Sequence, residues 1–164
     1  MINFKSKLDG SAEKTVPVQS SKPTCTGDIT YKVYDNIKKC YLPSVVNDRD
    51  YAGNRDHSIG GIKAKCQNGN IYMKTHVIVK ANWEETVTLN ASNFASNSAN
   101  AYSGTLEKNI DMVKILSDYG YVDYRVSPVN GNYYDWVSSK NVNNGGANSY
   151  AGVAGKTIDR IQAE

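Results

Sequence analysis

Tyr150-Ala151-Gly152-Val153-Ala154-Gly155-Lys156-Thr157-Ile158-Asp159-Arg160-Ile161 is the stretch on which the fold turns, because its spacing recurs twice upstream. Tyr51-Ala52-Gly53 is followed by Ile59 and Ile62, and Tyr102-Ser103-Gly104 by Ile110 and Val113, with the same intervals from tyrosine to aliphatic each time. A spacing held three times marks an internal repeat, and a repeat decides architecture more reliably than local propensity. Working outward, each copy opens with a strand-like run whose second residue is basic: Tyr31-Lys32-Val33-Tyr34, Met73-Lys74-Thr75-His76 and Tyr124-Arg125-Val126-Ser127. An aromatic and a valine four residues on come next, as Tyr41 with Val45, Trp83 with Val87 and Tyr133 with Val137. In a strand, residues four apart share a face.

These elements predict an all-β fold of three internal repeats of about 45 residues, copies about 29–70, 71–121 and 122–164. Gln67-Asn68-Gly69-Asn70 and Asp118-Tyr119-Gly120 read as hairpin junctions between copies. The last strand, Ile158 to Ala163, is expected to pair with the first at Tyr31, closing the array into a pseudo-threefold trefoil- or prism-like fold without open edges. Residues 1–28 carry no period of two or 3.6 and read as a polar tether, with a short strand at Thr15 to Val18.

Composition agrees. The 164 residues include 12 Tyr, 2 Trp, 13 Gly and 18 Asn against 2 Phe. Tyr and Trp suit half-buried strands and carbohydrate-facing surfaces, while Asn and Gly supply turns. A net charge of +3 without a Lys/Arg cluster gives no nucleic-acid signature. Mean hydropathy is −0.54, and no apolar run approaches the roughly 20 residues that cross a bilayer, so no membrane partner is expected. The opening Met1-Ile2-Asn3-Phe4 lacks the apolar stretch of a secretory signal, so export is expected by another route or within a larger precursor.

The strand with Tyr-x-Val, the aromatic-x-x-x-Val strand, the Tyr-Ala-Gly loop and the closing Gly155-Lys156-Thr157-Ile158-Asp159-Arg160-Ile161 resemble the C-terminal cell-wall-binding repeats of clostridial autolysins and phage endolysins. More distantly they are similar to the clostridial hydrophobic repeats named for a tryptophan. The resemblance covers residues 29–164, and Tyr41 and Tyr133 stand where such repeats usually carry Trp. It implies a non-catalytic module that targets a peptidoglycan-lytic enzyme to the wall of a Gram-positive bacterium, on the outer side of the cell. The implied partners are a wall polymer, peptidoglycan or secondary, and a lytic catalytic domain on the parent chain. A lectin-like glycan-binding adhesin and a small thiol-dependent enzyme are the alternatives.

The candidate ligand-binding residues follow from the repeat. Lys32, Lys74 and Arg125 share one position and read first as solvated strand residues, with contact to an anionic polymer three times over as the other reading. Tyr41, Trp83 and Tyr133 read first as core, with three equivalent binding sites as the other reading. Trp136 breaks the pattern, since Ser44 and Thr86 hold its place elsewhere; it reads as a stacking residue on the strand face opposite Tyr133. Tyr51, Tyr102 and Tyr150 either contact ligand or lock a loop, and Asp111 and Asp159 either accept from sugar hydroxyls or cap a turn.

Catalysis has little to stand on, with two histidines and no Gly-x-Ser-x-Gly or His-Glu-x-x-His element. His76, at a position filled by Tyr34 and Ser127 in the other copies, reads as a tolerant surface site, and a Cys40 or Cys66 dyad with His76 is the residual thiol option. Cys25, Cys40 and Cys66 lack the paired spacing of structural zinc and read as reduced thiols, with a Cys40–Cys66 bridge the alternative. Asn47-Asp48-Arg49-Asp50 lacks calcium-loop spacing and reads as a solvated turn. No cofactor and no metal are expected.

Overall fold

The computed structural model describes residues 25–116 and 122–164. The expected strand at Thr15 to Val18 and the junction Asp118-Tyr119-Gly120 lie outside the described residues. In chain order the strands are β1 (Thr26–Asp35), β2 (Cys40–Tyr41), β3 (Val45–Val46), β4 (Ala52–Gly53), β5 (Ile59–Asn68), β6 (Ile71–Val77), β7 (Val87–Leu89), β8 (Ser103–Gly104), β9 (Ile110–Leu116), β10 (Asp123–Pro128), β11 (Val137–Ser138), β12 (Ala151–Gly152) and β13 (Ile158–Ala163). Helix is confined to three-residue 3-10 turns among the described residues. The fold is all-β.

Three antiparallel sheets form, each around one long pair: β1 with β5, β6 with β9, and β10 with β13. The short strand before or holding the repeat valine lies on one side of each pair, as β2 and β3 on β1, β7 on β6 and β11 on β10. The other side takes a Tyr-x-Gly strand from elsewhere in the chain: β8 on β5, β12 on β9 and β4 on β13.

Two expectations are corrected here. The last strand does not pair with the first: β13 lies between β10 and β4. Its link to β1 is a side-chain one, with the Ala163 amide donating to the Tyr31 hydroxyl at 3.1 Å. Nor is Gln67–Asn70 a hairpin junction, because β5 is flanked by β1 and β8 while β6 is flanked by β7 and β9. The chain leaves one sheet there and enters the next.

Alternation along the long strands places the core. Tyr31 and Val33, Met73 and Thr75, and Tyr124 and Val126 point inward and are buried, while Lys32, Lys74 and Arg125 point out. The repeated aliphatics Ile59 and Ile62, Ile110 and Val113, Ile158 and Ile161 are none of them more than 1% exposed. Each such side chain removed from water contributes about 1.5–3 kcal/mol, which is why their spacing is rigid while the loops vary. Two buried tyrosines stitch sheets together: Tyr31 as above, and Tyr124, whose hydroxyl accepts from the Ile115 amide at 3.1 Å. Burial pushes both phenols up to about 12.

The thiol expectation also changes. Cys25 and Cys66 form a disulfide, with their Cα atoms 5.4 Å apart, and Cys40 is the exposed free cysteine. Cys66 faces the core from β5, next to the start of β1, whereas Cys40 faces solvent, so a Cys40–Cys66 bridge is geometrically excluded.

Candidate functional site

The outer faces of the three sheets gather basic and aromatic side chains. On the first, Lys32 stands directly opposite Lys63. Lys63 Nζ lies 4.6 Å and Lys32 Nζ 5.5 Å from the Tyr41 ring. On the second, Lys74 stands opposite Lys114, whose Nζ lies 4.8 Å from the Trp83 ring. On the third, the Arg125 guanidinium lies 4.6 Å from both the Tyr133 and the Trp136 rings, and Arg160 lies 5.3 Å from Tyr133. Cations over aromatic faces are favourable, by about 0.5–2 kcal/mol according to exposure.

Tyr41, Trp83 and Tyr133 are therefore not core. All three are half-buried on the outer faces, and the expected inward face fails because residues 42–44, 84–86 and 134–136 are outside any strand. The Tyr41 and Tyr133 hydroxyls are buried without a hydrogen-bond partner among the described residues, and burial pushes both phenols far up. The same break in the strand corrects Trp136, which does not lie opposite Tyr133 but shares Arg125 with it.

The Tyr-x-Gly tyrosines come to these clusters from other parts of the chain. Tyr150 meets the Trp83 ring edge-on at 5.8 Å, Tyr102 is an electrostatic neighbour of Tyr41, and Tyr51 neighbours Tyr133 with Arg160 5.9 Å away. Beside them run three grooves at corresponding places. One of about 600 Å³ lies between Thr86, Val87 and Asn100; one of about 300 Å³ between Leu42, Val45 and Tyr51; one of about 230 Å³ between Trp136, Val137 and Tyr150. Trp136 is 38% exposed at the mouth of the last.

Asp111 and Asp159 belong elsewhere. Both are fully buried and act as loop anchors, out of reach of sugar hydroxyls. Asp111 accepts from the Gly155 amide at 2.7 Å and from His76 Nδ1 at 2.6 Å. Asp159 accepts from the amides of Asp56 at 3.0 Å and Asn130 at 2.9 Å, and from Arg160 Nε at 2.8 Å. Gly60 holds the corresponding place in the first copy, and Asn36 fills the space there as a donor rather than an acceptor, its Oδ1 buried without a hydrogen-bond partner among the described residues. Its Oδ1 would lie 2.2 Å from a Cβ at Gly60, and its Nδ2 donates to Asn109 at 2.9 Å. His76 is accordingly not a tolerant surface position. It is 8% exposed, held by Asp111 and flanked by Trp83 at 5.8 Å. With Cys66 in a disulfide, a Cys66–His76 dyad is not assembled.

The second histidine repeats this anchoring role. His57 Nδ1 lies 2.7 Å from Asp35, which also takes the Lys38 and Ile37 amides and Asn54 Nδ2. Burial alone would raise the Asp35 pKa, and these donors together hold it below the ordinary carboxylate range.

Sequence reasoning missed Lys63, Lys114, Lys65 and Phe94. The first two carry a signal, since each directly follows a repeated aliphatic, Ile62 or Val113, and must face outward. Phe94 carries none: it comes from the loop after β7 and lies 4.8 Å from Lys32 and 5.0 Å from Lys65. No family model, curated protein or solved structure matches the chain.

Proposed function

We propose that this chain is a non-catalytic module that binds a bacterial cell-wall polymer and brings a peptidoglycan-lytic enzyme to the Gram-positive wall. In this reading the three repeats close on one another by exchange of their Tyr-x-Gly strands, in a trefoil- or prism-like ring. The cyclic set of pairings β8 on β5, β12 on β9 and β4 on β13 supports that closure. The observation that carries the function is the recurrence, on the outer face of all three sheets, of a half-buried aromatic with a cation 4.6–4.8 Å from its ring. Aromatic faces suit sugar rings, cations suit the acidic groups of wall polymers, and weak contacts repeated on a rigid scaffold gain avidity against a repetitive ligand.

A pull-down with Gram-positive walls, native and acid-stripped of secondary polymers, tests this. Retention on native walls alone identifies an anionic secondary polymer; retention on both identifies peptidoglycan; retention on neither overturns the reading. Trp136→Ala removes an exposed ring at a groove mouth and is expected to weaken wall binding about tenfold while the thermal midpoint moves by only a few degrees. A large loss of stability with unchanged binding would remove Trp136 from the site.

Salt supplies a separate check. Because Lys32, Lys74 and Arg125 are partly exposed, wall binding is expected to weaken as ionic strength rises through the physiological range, measured as bound fraction against sodium chloride. Salt-independent binding would take these three cations out of the contact.

A further inference from the structure

The three basic clusters are not equivalent, and their differences single out one of them. Like charges directly opposite on neighbouring strands repel. Among the described residues two such pairs occur, Lys32 with Lys63 and Lys74 with Lys114. On the first sheet the chain itself offsets the repulsion. Lys63 Nζ donates to the Ser96 carbonyl and, at 3.2 Å, to Asn97 Oδ1, while the Phe94 ring covers Lys32 and Lys65. A loop lies where a ligand would.

On the second sheet the Trp83 ring, 4.8 Å from Lys114 Nζ, is the one offset among the described residues. Neither Lys74 nor Lys114 has a carboxylate or hydrogen-bond acceptor among the described residues, and the nearby Glu84 is held by Lys80 at 2.7 Å. Burial, and then the neighbouring Lys74, push the Lys114 pKa down, as burial and Lys32 do for Lys63. Trp83 walls the pair on one side, fixed by Tyr150 and His76. On the third sheet the corresponding pair is Arg125 with Gln162, already joined by a 2.9 Å hydrogen bond.

We propose that Lys74, Lys114 and the Trp83 ring form a binding site for an oxyanion, phosphate or carboxylate, carried on a glycan chain. This deepens the wall-binding reading and rests on it for the polymer that supplies the anion. Two ammonium groups on one sheet face clamp the oxygens by charge-assisted hydrogen bonds, and the ring restricts approach to one side.

The test compares the wild-type chain with Lys74→Gln/Lys114→Gln and with Lys39→Gln, an exposed lysine of the turn between β1 and β2 on the first sheet, against poly(glycerol phosphate), polygalacturonate and neutral dextran. The expected result is binding of one polyanion and not of dextran, weakened about tenfold or more in the double variant and unchanged in Lys39→Gln. The polyanion preferred tells phosphate from carboxylate. The thermal midpoint of the double variant is expected to hold or rise, because a repulsive pair has been removed; the single variant Lys74→Gln should show both effects in part. Equal polyanion binding by wild type and double variant, no polyanion binding at all, or a marked fall in midpoint overturns the site. Equal retention of both forms on native walls overturns it too and leaves the wall-binding reading standing. Polyanion binding lost in the double variant, with no wall retained by the wild type, establishes the site and removes the wall reading.

Discussion

Gly152→Ala is expected to destabilise the protein by about 3 kcal/mol, read as a large drop in the thermal or urea midpoint followed by circular dichroism. Gly152 has φ +113°, and a Cβ built there lies 2.2 Å from the Asp111 carbonyl oxygen and 3.0 Å from Met112 Cα. That obstacle is backbone in the middle of a ladder, because β12 pairs with β9 through Ala151 to Val113 and Gly152 to Met112. The strand cannot shift without giving up those hydrogen bonds and the fully buried Ala151. Gly145 provides the control: its φ is +72° and nothing lies within 4 Å of an added Cβ. Gly145→Ala is expected to cost only the left-handed penalty of about 1 kcal/mol. Equal losses at the two positions would show that backbone conformation alone matters, and that the close approach of β12 to β9 does not hold this part of the fold.

Gly152 also shows how far the sequence could be read. The Tyr-x-Gly element and the aliphatics eight and eleven residues beyond its tyrosine were legible because core packing makes their spacing rigid. Which strand each element would join was not. Spacing reports that an element exists, whereas β12 on β9 and β4 on β13 bring together residues 38 and more than 100 positions apart, and nothing local encodes the choice. The expected pairing of the last strand with Tyr31 failed for this reason, although the contact between Ala163 and the Tyr31 hydroxyl lies close to it.

The site was legible in the same uneven way. Lys32, Lys74 and Arg125 each lie on the outward face of their own sheet, since alternation along a long strand is a strict rule. Trp83 and its counterparts were placed in the core by extending that rule over a segment that is not strand. His76 obeys the rule and points outward, yet it is buried, because the Trp83 ring packs edge-on against it at 5.8 Å and Asp111 draws in its ring. Burial by a neighbour's side chain leaves no trace in the residue's own surroundings in sequence. Phe94, the loop residue that covers Lys32 and Lys65, was beyond reach on the same grounds.

Asp159→Ala is expected to cost about 3–5 kcal/mol and to leave ligand binding by the remaining folded protein unchanged. Asp159 is fully buried and takes three donors: Arg160 Nε on one oxygen, and the amides of Asp56 and Asn130 on the other. Removing it leaves Arg160, 8% exposed, with only the neutral acceptors Ser127 Oγ at 2.6 Å and the Gly131 carbonyl at 2.7 Å, so a buried charge loses its counter-ion. The two amides lose their acceptor as well, each at a cost of about 1–3 kcal/mol if water does not reach it. They belong to different loops, one following β4 and one following β10, so both would loosen together. Arg160 also approaches the Tyr133 and Tyr51 rings, which makes the alternative outcome informative. Asp159→Asn keeps the shape and an acceptor for the amides but not the charge, and is expected to lose less than Asp159→Ala. If either variant instead kept its midpoint and lost binding to walls, the carboxylate would be a ligand contact and its place as a loop anchor would be secondary. Urea denaturation of both variants beside a wall pull-down separates the two roles, because a buried anchor moves the first measurement and a sugar contact the second.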